Sequence, residues 1–282
     1  MQFITQYSEQ NMVHLRLPHI MGTRFDALLF GSDGLHNMNT LKSLSMLIMN
    51  RMKHLDSSLN MFSKDSEVYG LYTLEPGSPI YVSETLYGIL CLCKEYYYKT
   101  EGLFDITLGD FDKVEIESDS HRIRFNDKPY LFNFGGFAKG YVLRFIKQML
   151  VEAGIKDAFV NFGNSAILAL GKHPYGDSWN VEIKNPYTGD AIKCFSLKDM
   201  SLSTSGNTPQ YGKHIFNPKT GKYAEGPMLC SVTCPDPLDA EVLSTVLMMA
   251  NEVEKEKILA EFQEARVESF DCLSKSVGEN KI

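Results

Sequence analysis

The chain has 282 residues, of which 44% are hydrophobic and 22% charged, and its formal net charge is −7. This composition is typical of a globular protein and excludes wholesale disorder, collagen and coiled-coil structure. The acidic balance argues against a nucleic-acid partner, because nucleic-acid binding usually depends on a basic patch.

The predicted secondary structure mixes short strands with helices of medium length. Helical spacing and cap residues predict four helices: one capped by Asn39, one capped by Ser83, one that starts at Ala138 and one that starts at Pro237 behind the cap Asp236. The predicted strands are residues 12–18, 26–30, 113–117, 121–125, 157–162, 166–170, 179–184, 192–197, 213–216 and 229–234. Because strands and helices do not alternate strictly, we expect an α+β fold with mostly antiparallel sheets and packed helices.

The N-terminal sequence lacks the basic start and apolar run of a secretory signal. No stretch approaches the roughly 18 apolar residues of a transmembrane helix, so we expect no transmembrane segment. The six cysteines contain no CxxC pair, and we expect them to be reduced. The expected location is therefore cytoplasmic, and the alternative is an exported protein whose signal is absent from this chain.

Residues 132–140 carry the first candidate site. An apolar stretch runs through Gly135 and Gly136 into a helix start that bears Lys139. Glycines let a ligand approach the backbone, and the N–H groups of a first helical turn favour an anion. The segment therefore predicts a phosphate or pyrophosphate site, although it is not a Walker loop. The alternative is a tight turn with a solvated lysine.

Two further segments carry candidate catalytic or metal-binding groups. His214 precedes the turn at residues 217–221, where a side chain can face a cleft and move a proton; a structural histidine is the alternative. Glu241 and Thr245 are four residues apart on the last predicted helix and share a face. With a carbonyl oxygen from elsewhere they would suit Mg²⁺, whereas a solvated helix face is the alternative for Glu241.

Eight short motifs follow one another along the chain. They are residues 21–23 (MGT), 66–68 (SEV), 102–107 (GLFDIT), 135–141 (GGFAKGY), 160–163 (VNFG), 203–206 (STSG), 214–221 (HIFNPKTG) and the helix of Thr245. Each motif is weak alone, but in this order they resemble the ApbE family, the FAD:protein FMN transferases. The resemblance extends from about residue 12 to about residue 250.

The resemblance implies one domain over residues 1–282 with an ApbE-like fold and a ligand cleft between two halves. It implies a Mg²⁺-dependent enzyme that moves FMN from FAD to a Thr or Ser hydroxyl of an acceptor flavoprotein and releases AMP. The alternatives are a non-catalytic FAD-binding paralogue and an FAD diphosphatase that gives FMN and AMP.

The resemblance also assigns roles to particular residues. The implied FAD contacts are Met21, Phe62, Leu103, Phe104, Asp105, Gly135, Lys139 and Ile215. The implied cation ligands are Ala138, Glu241 and Thr245. We expect His214 and Lys139 to be catalytic, with His214 orienting the acceptor hydroxyl or accepting its proton.

This chain departs from the family pattern at several positions. Glu241 stands where the family has Asp, and it reaches one methylene further with the same two oxygens. Mg²⁺, Ca²⁺ and an empty site are therefore the alternatives there. Asn164-Ser165, Thr208 and Arg144 are further departures.

Overall fold

An eight-stranded antiparallel sheet is the centre of the fold in the computed structural model, which describes residues 3–31, 37–118, 120–210 and 212–273. The strands are β1 (Ile4–Tyr7), β2 (Met12–Ile20), β3 (Thr23–Phe30), β4 (Ile80–Tyr81), β5 (Val114–Glu117), β6 (Arg122–Phe125), β7 (Asp157–Phe162), β8 (Ala166–Leu170), β9 (Trp179–Lys184), β10 (Ala191–Leu197), β11 (Met200–Gly206), β12 (Phe216–Asn217), β13 (Lys222–Tyr223), β14 (Met228–Cys234) and β15 (Arg266–Asp271). The helices are α1 (Met38–Leu59), α2 (Glu67–Tyr72), α3 (Glu84–Lys99), α4 (Ala138–Glu152), α5 (Pro237–Val246) and α6 (Glu252–Glu261).

The main sheet has the strand order β1-β2-β3-β7-β8-β11-β14-β15, and all of its neighbouring strands are antiparallel. Three small sheets accompany it: the pair β9-β10, the pair β12-β13 and the three strands β4-β6-β5. The α+β expectation with mostly antiparallel sheets is confirmed. The described residues include no helix long and apolar enough to cross a membrane.

The two faces of the main sheet are covered by different elements. On β8, Leu168 belongs to the larger core that contains α1, α3, α4 and α5, whereas Ile167 and Ala169 belong to a second cluster with Trp179 and Phe195 of β9 and β10. Alternate residues of a strand point to opposite faces, so helices cover one face and the β9-β10 hairpin covers the other. The larger core draws on residues from Val13 to Ala265, close to both ends of the described chain.

Cap residues explain where the helices start. Ser83 Oγ accepts the Leu86 N–H at 3.2 Å, and Asp236 Oδ1 accepts the Leu238 N–H at 2.8 Å, which confirms both predicted caps. The prediction for Asn39 was wrong. The cap is Asn37, whose side chain accepts the Thr40 N–H at 3.0 Å and starts the helix two residues earlier.

The sequence patterns missed several elements and misplaced one. The prediction of a strand over residues 213–216 was wrong. In this segment Phe216 and Asn217 alone form strand pairs, and they pair with β13 across a tight turn. Strands β1, β4, β11, β13 and β15 and helices α2 and α6 were not predicted. In α6 only Ile258 is buried, so the helix carries no apolar stripe that a pattern could reveal.

Candidate functional site

A cleft of about 1170 Å³ opens beside the N-terminal end of α4. Its walls come from the loop after α3, the first turn of α4, the ends of β7 and β11, strand β9, the segment before β12 and one side of α5. Residues from these walls include Phe104, Asp105, Gly135, Lys139, Ser165, Glu182, Gly206, His214, Glu241 and Thr245. Segments far apart in sequence therefore meet around one cavity of ligand size.

The first turn of α4 presents backbone groups at the cleft. Gly135, Gly136 and Lys139 line the cavity, and the N-cap position Phe137 provides no side-chain acceptor for the first-turn N–H groups. The Ala138 N–H donates to the Phe134 carbonyl oxygen at 2.8 Å, and the later N–H groups of a first helical turn attract anions. The Gly135 N–H itself is held by Asn133 Oδ1 at 2.9 Å, which fixes the approach to the helix.

Two glycines let α4 and α5 approach each other closely. A Cβ atom on Gly140 would lie 2.5 Å from the Glu241 Cβ and 2.8 Å from the Pro237 carbonyl oxygen. A Cβ atom on Gly136 would lie 3.3 Å from Thr245 Oγ1. No side chain fits at Gly140, so the contact between the helices requires glycine there.

The close contact brings Lys139 onto Glu241. The Lys139 ammonium donates to Glu241 Oε1, and the Ser203 hydroxyl of β11 donates to Glu241 Oε2 at 2.7 Å. Glu241 is only 2% exposed, whereas 21% of the Lys139 side chain is accessible from the cleft side. Both carboxylate oxygens thus have protein donors, and the ammonium is the accessible half of the pair.

Hydroxyl groups form a network behind this ion pair. Ser244 Oγ donates to the Glu241 carbonyl oxygen at 3.0 Å and lies 3.1 Å from Ser203 Oγ. Ser205 Oγ lies 2.8 Å from Ser244 Oγ and 3.1 Å from Thr245 Oγ1. The network joins β11 to α5 and holds the Glu241 backbone and side chain in one position.

Further along α4 than Lys139, Arg144 forms a second ionic link to α5. Its Nε donates to Asp236 Oδ1 at 2.9 Å, and one terminal nitrogen donates to the Tyr96 hydroxyl at 2.7 Å. The Tyr96 hydroxyl in turn donates to Asp239, and burial raises the pKa of the Asp239 carboxyl above its ordinary value. This departure from the family pattern therefore braces the helix pair.

The three implied cation ligands do not form an open donor set. Glu241 already uses both oxygens, and its charge is balanced by Lys139. Thr245 Oγ1 contacts Ser205, and Ala138 is absent from the cleft lining among the described residues. A divalent cation prefers several free oxygen ligands with a net negative charge. The arrangement therefore does not fit a divalent cation.

The segment 214–221 places a histidine at the cleft. His214 and the buried Ile215 both line the cavity. The following turn is shaped by Asn217, whose Oδ1 accepts the N–H groups of Lys219 at 3.0 Å and Thr220 at 3.1 Å. Side-chain hydrogen bonds within the turn thus fix the chain direction directly after His214.

The loop after α3 is organised around a buried carboxylate. Asp105 Oδ1 accepts the Thr107 N–H at 2.7 Å and the Thr107 hydroxyl at 2.6 Å, and Oδ2 accepts the Phe111 N–H at 3.2 Å. Leu103 and Phe104, which line the cleft, are held by this loop. The geometry gives Asp105 a role in shaping the wall.

The structure gathers most of the predicted site residues into one place. The cleft lining includes Leu103, Phe104, Asp105, Gly135, Lys139, His214, Ile215, Glu241 and Thr245. It does not include Met21 or Phe62, and Phe62 is 85% exposed. The departures Asn164, Ser165 and Thr208 lie on the same lining.

Sequence reasoning missed two contributors to the site. One is β9, of which the consecutive residues 180–184 all line the cleft. The other is Ser203, which belongs to a quoted motif but had no assigned role. The STSG motif at residues 203–206 could have pointed to Ser203, whereas nothing in the sequence of β9 marks that strand as a wall of the cleft.

The ApbE family profile matches residues 21–115 and 110–269 of this chain. A FAD:protein FMN transferase from Treponema pallidum is 25% identical over 250 residues, which cover 70% of this chain and 68% of that protein. One from Escherichia coli K12 is 25% identical over 271 residues, covering 81% and 76%. One from Rhodobacter capsulatus is 29% identical over 147 residues, so the match covers 49% of this chain and only 28% of that relative.

Solved structures show the same fold. The flavin transferase ApbE from Vibrio cholerae superposes with a TM-score of 0.76 at 21% identity, over 91% of this chain and 92% of that one. The ApbE protein from Thermotoga maritima gives 0.76 at 20% identity, over 91% and 93%. With the family profile spread over most of the chain and the fold in common, this chain belongs to the ApbE family.

Proposed function

We propose that this chain is an FAD:protein FMN transferase, which moves FMN from FAD to a Thr or Ser hydroxyl of an acceptor flavoprotein and releases AMP. The observation that carries the proposal is the position of Lys139 and the first turn of α4 on one cleft wall, with His214 on the lining of the same cleft. Membership of the ApbE family, whose named relatives are FAD:protein FMN transferases, supports it.

The chemistry requires alignment and charge stabilisation more than covalent catalysis. The acceptor hydroxyl oxygen attacks the phosphorus on the riboflavin side of FAD. The new bond joins that oxygen to FMN, the bond to the AMP phosphate breaks, and AMP leaves with the electron pair. Lys139 and the α4 N–H groups stabilise the charge that develops on the phosphate oxygens.

His214 handles the proton of the acceptor hydroxyl in the proposed reaction. It orients the acceptor hydroxyl or accepts its proton as the oxygen attacks, which is a common role for histidine near neutral pH. Its position close to the turn at residues 217–221 supports the assignment. The hydrogen bonds to the Asn217 side chain fix the backbone conformation of that turn.

The FAD contacts proposed for the cleft are Leu103, Phe104, Asp105, Gly135, Lys139 and Ile215. Met21 and Phe62 stay predictions from the resemblance, with no support from the cleft lining. A cavity of about 1170 Å³ exceeds the roughly 300–1,000 Å³ of most small-molecule pockets. A cleft of this size suits a ligand larger than most, such as a flavin dinucleotide.

The Mg²⁺ dependence implied by the resemblance is not carried into this proposal. Glu241 is engaged by Lys139 and Ser203, so no step is assigned to a divalent cation. The cytoplasmic location stays part of the proposal. Its support is that all six cysteines are free thiols, as expected in a reducing compartment.

The test is incubation of the purified chain with FAD and an acceptor protein that carries a Thr or Ser target segment. A covalent FMN on the acceptor, seen by intact mass and in-gel flavin fluorescence, with one AMP released per FMN attached, is the expected result. AMP release without any acceptor would indicate the diphosphatase instead. FAD binding without AMP release or mass gain would indicate a non-catalytic paralogue.

A further inference from the structure

We propose that in this chain the Lys139 ammonium, held on Glu241, replaces the divalent cation beside the FAD diphosphate, so that FMN transfer proceeds without a divalent metal ion. The proposal rests on the proposed function, since it concerns the charge that stabilises that reaction. It departs from the metal dependence that the family resemblance implied.

The Glu241 carboxylate has no free oxygen. Oε1 accepts from the Lys139 ammonium, and Oε2 accepts from the Ser203 hydroxyl at 2.7 Å. At 2% exposure Glu241 is shielded from water, and loss of one partner of a buried pair leaves an uncompensated charge, so a competing cation must first displace the ammonium. The hydroxyl network of Ser244 and Ser203 keeps the carboxylate in place.

The length of the side chain at position 241 favours the contact with lysine. Glu extends one methylene beyond the Asp of the family pattern, from a helix that already touches α4 at Gly140. The carboxylate therefore reaches both the Lys139 ammonium on α4 and Ser203 on β11 at once. The substitution turns a metal ligand into the anchor of a lysine.

The net charge of the pair also disfavours a divalent cation. Lys139 and Glu241 together carry no net charge, whereas sites for hard divalent cations usually carry net negative charge. The other carboxylates on the described lining are Asp105, whose oxygens accept from Thr107 and Phe111, and Glu182 on β9. Glu182 is exposed and forms an ion pair with Lys184 at 3.5 Å, and the described residues contain no group of three or more His, Cys, Asp or Glu side chains that could hold a metal ion.

The Lys139 ammonium has the donors and the access to the cleft that it needs to bind the FAD diphosphate in place of a cation. An ammonium has three N–H donors, and Glu241 Oε1 takes one of them. The side chain is 21% accessible and lines the cleft, so the remaining donors are available to phosphate oxygens. Lysine binds phosphate as a point charge, and here that charge is fixed at the start of a helix that also favours anions.

The activity test compares FMN transfer in buffer with excess EDTA and in buffer with excess Mg²⁺. We expect the two rates to agree within about twofold. A loss of about tenfold or more in EDTA that Mg²⁺ restores would overturn the inference while the proposed function stands. Absence of transfer in both buffers would refute the proposed function and with it metal-free transfer, and the binding test then decides only whether Lys139 closes the site to cations.

The binding test uses Mn²⁺ as a paramagnetic probe and needs no activity. Titration of the FAD-bound wild type followed by electron paramagnetic resonance should show no tight stoichiometric site. Lys139→Met should bind Mn²⁺ at least about tenfold more tightly, because it frees the Glu241 carboxylate. The added Glu241→Gln substitution should abolish that gain. Lys42→Met is the control, since Lys42 is exposed on α1, which does not line the cleft.

A stoichiometric Mn²⁺ site in the wild type with the affinity of Lys139→Met would overturn the proposal. So would a folded Lys139→Met variant that gains no affinity, because Lys139 would then not be what closes the site. The wild-type titration decides the question even if the variant does not fold. Thermal unfolding of each variant serves as the check on folding.

Discussion

Gly140 and Glu241 touch across the α4–α5 contact so closely that a Cβ atom on Gly140 would lie 2.5 Å from the Glu241 Cβ. Real Cβ atoms do not approach so near, so Gly140→Ala must push the helices apart. We expect a loss of about 1–3 kcal/mol in the free energy of unfolding and weaker FAD binding. Urea unfolding and titration calorimetry with FAD measure the two effects.

Gly88→Ala is the matched control for Gly140→Ala. Gly88 lies within α3, and nothing stands within 4 Å of an added Cβ. Alanine has the higher helix propensity, so Gly88→Ala should stabilise by about 0.5–1 kcal/mol and leave FAD binding unchanged. If both substitutions stabilise the protein, the close approach of α4 and α5 is not what Gly140 provides.

His214→Ala should separate FAD binding from transfer. The side chain lines the cleft, and in the proposed reaction it handles the acceptor proton. Loss of a general base costs about 10²–10⁴ in rate, whereas FAD affinity should change little. Single-turnover transfer followed by mass spectrometry, together with FAD calorimetry, checks both. Transfer at the wild-type rate would remove His214 from the mechanism.

Asp105→Ala should damage the cleft wall rather than one contact. The carboxylate accepts three hydrogen bonds from Thr107 and Phe111, and removing it leaves buried donors without partners. We expect a stability loss of about 2–4 kcal/mol and weaker FAD binding through displacement of Phe104. Thermal unfolding and FAD titration are the measurements. Asp105→Asn keeps acceptor oxygen and should lose less on both.

The sequence indicated the architecture well where local signals were strong. Ser83 and Asp236 were found because a helix cap has a definite residue type directly before an apolar stripe. The hairpin of β5 and β6 and the central strands followed from alternation of apolar residues. Helix α6 was not predicted, because Ile258 is its one buried residue and a single buried residue gives no periodic apolar pattern.

The site was predicted as a set of residues but not as an arrangement. The motifs indicated Lys139 and Glu241 separately, one for phosphate and one for a cation. Their contact depends on Gly140 allowing α5 to approach, a tertiary distance that no spacing along the chain encodes. Strand β9 joins the cleft wall for a similar reason. The β9-β10 hairpin packs on one face of the main sheet, and this tertiary contact is not encoded by spacing along the chain.

The pH dependence of stability should reveal Asp26 on the outer side of β3. Burial raises the pKa of its carboxyl, but the hydrogen bonds from Arg24, Arg16 and His14 outweigh burial and bring the pKa to about 2. Because the pKa is lowered on folding, the stabilisation is complete above the unfolded value of about 3.9 and is lost as the pH falls towards 2. The exposed arginine partners are screened by solvent, so the contribution at pH 7 should be about 1 kcal/mol.

Asp26→Asn removes this carboxylate while it keeps the size of the side chain. The variant should be less stable than the wild type by about 1 kcal/mol at pH 7, and the difference should shrink between about pH 4 and pH 2. Urea unfolding at a series of pH values measures it, and raised salt should reduce the difference at pH 7, since exposed ion pairs are screened. A difference that stays constant down to pH 2 would mean that the amide costs stability through packing, and that the ion pairs of Asp26 contribute nothing measurable.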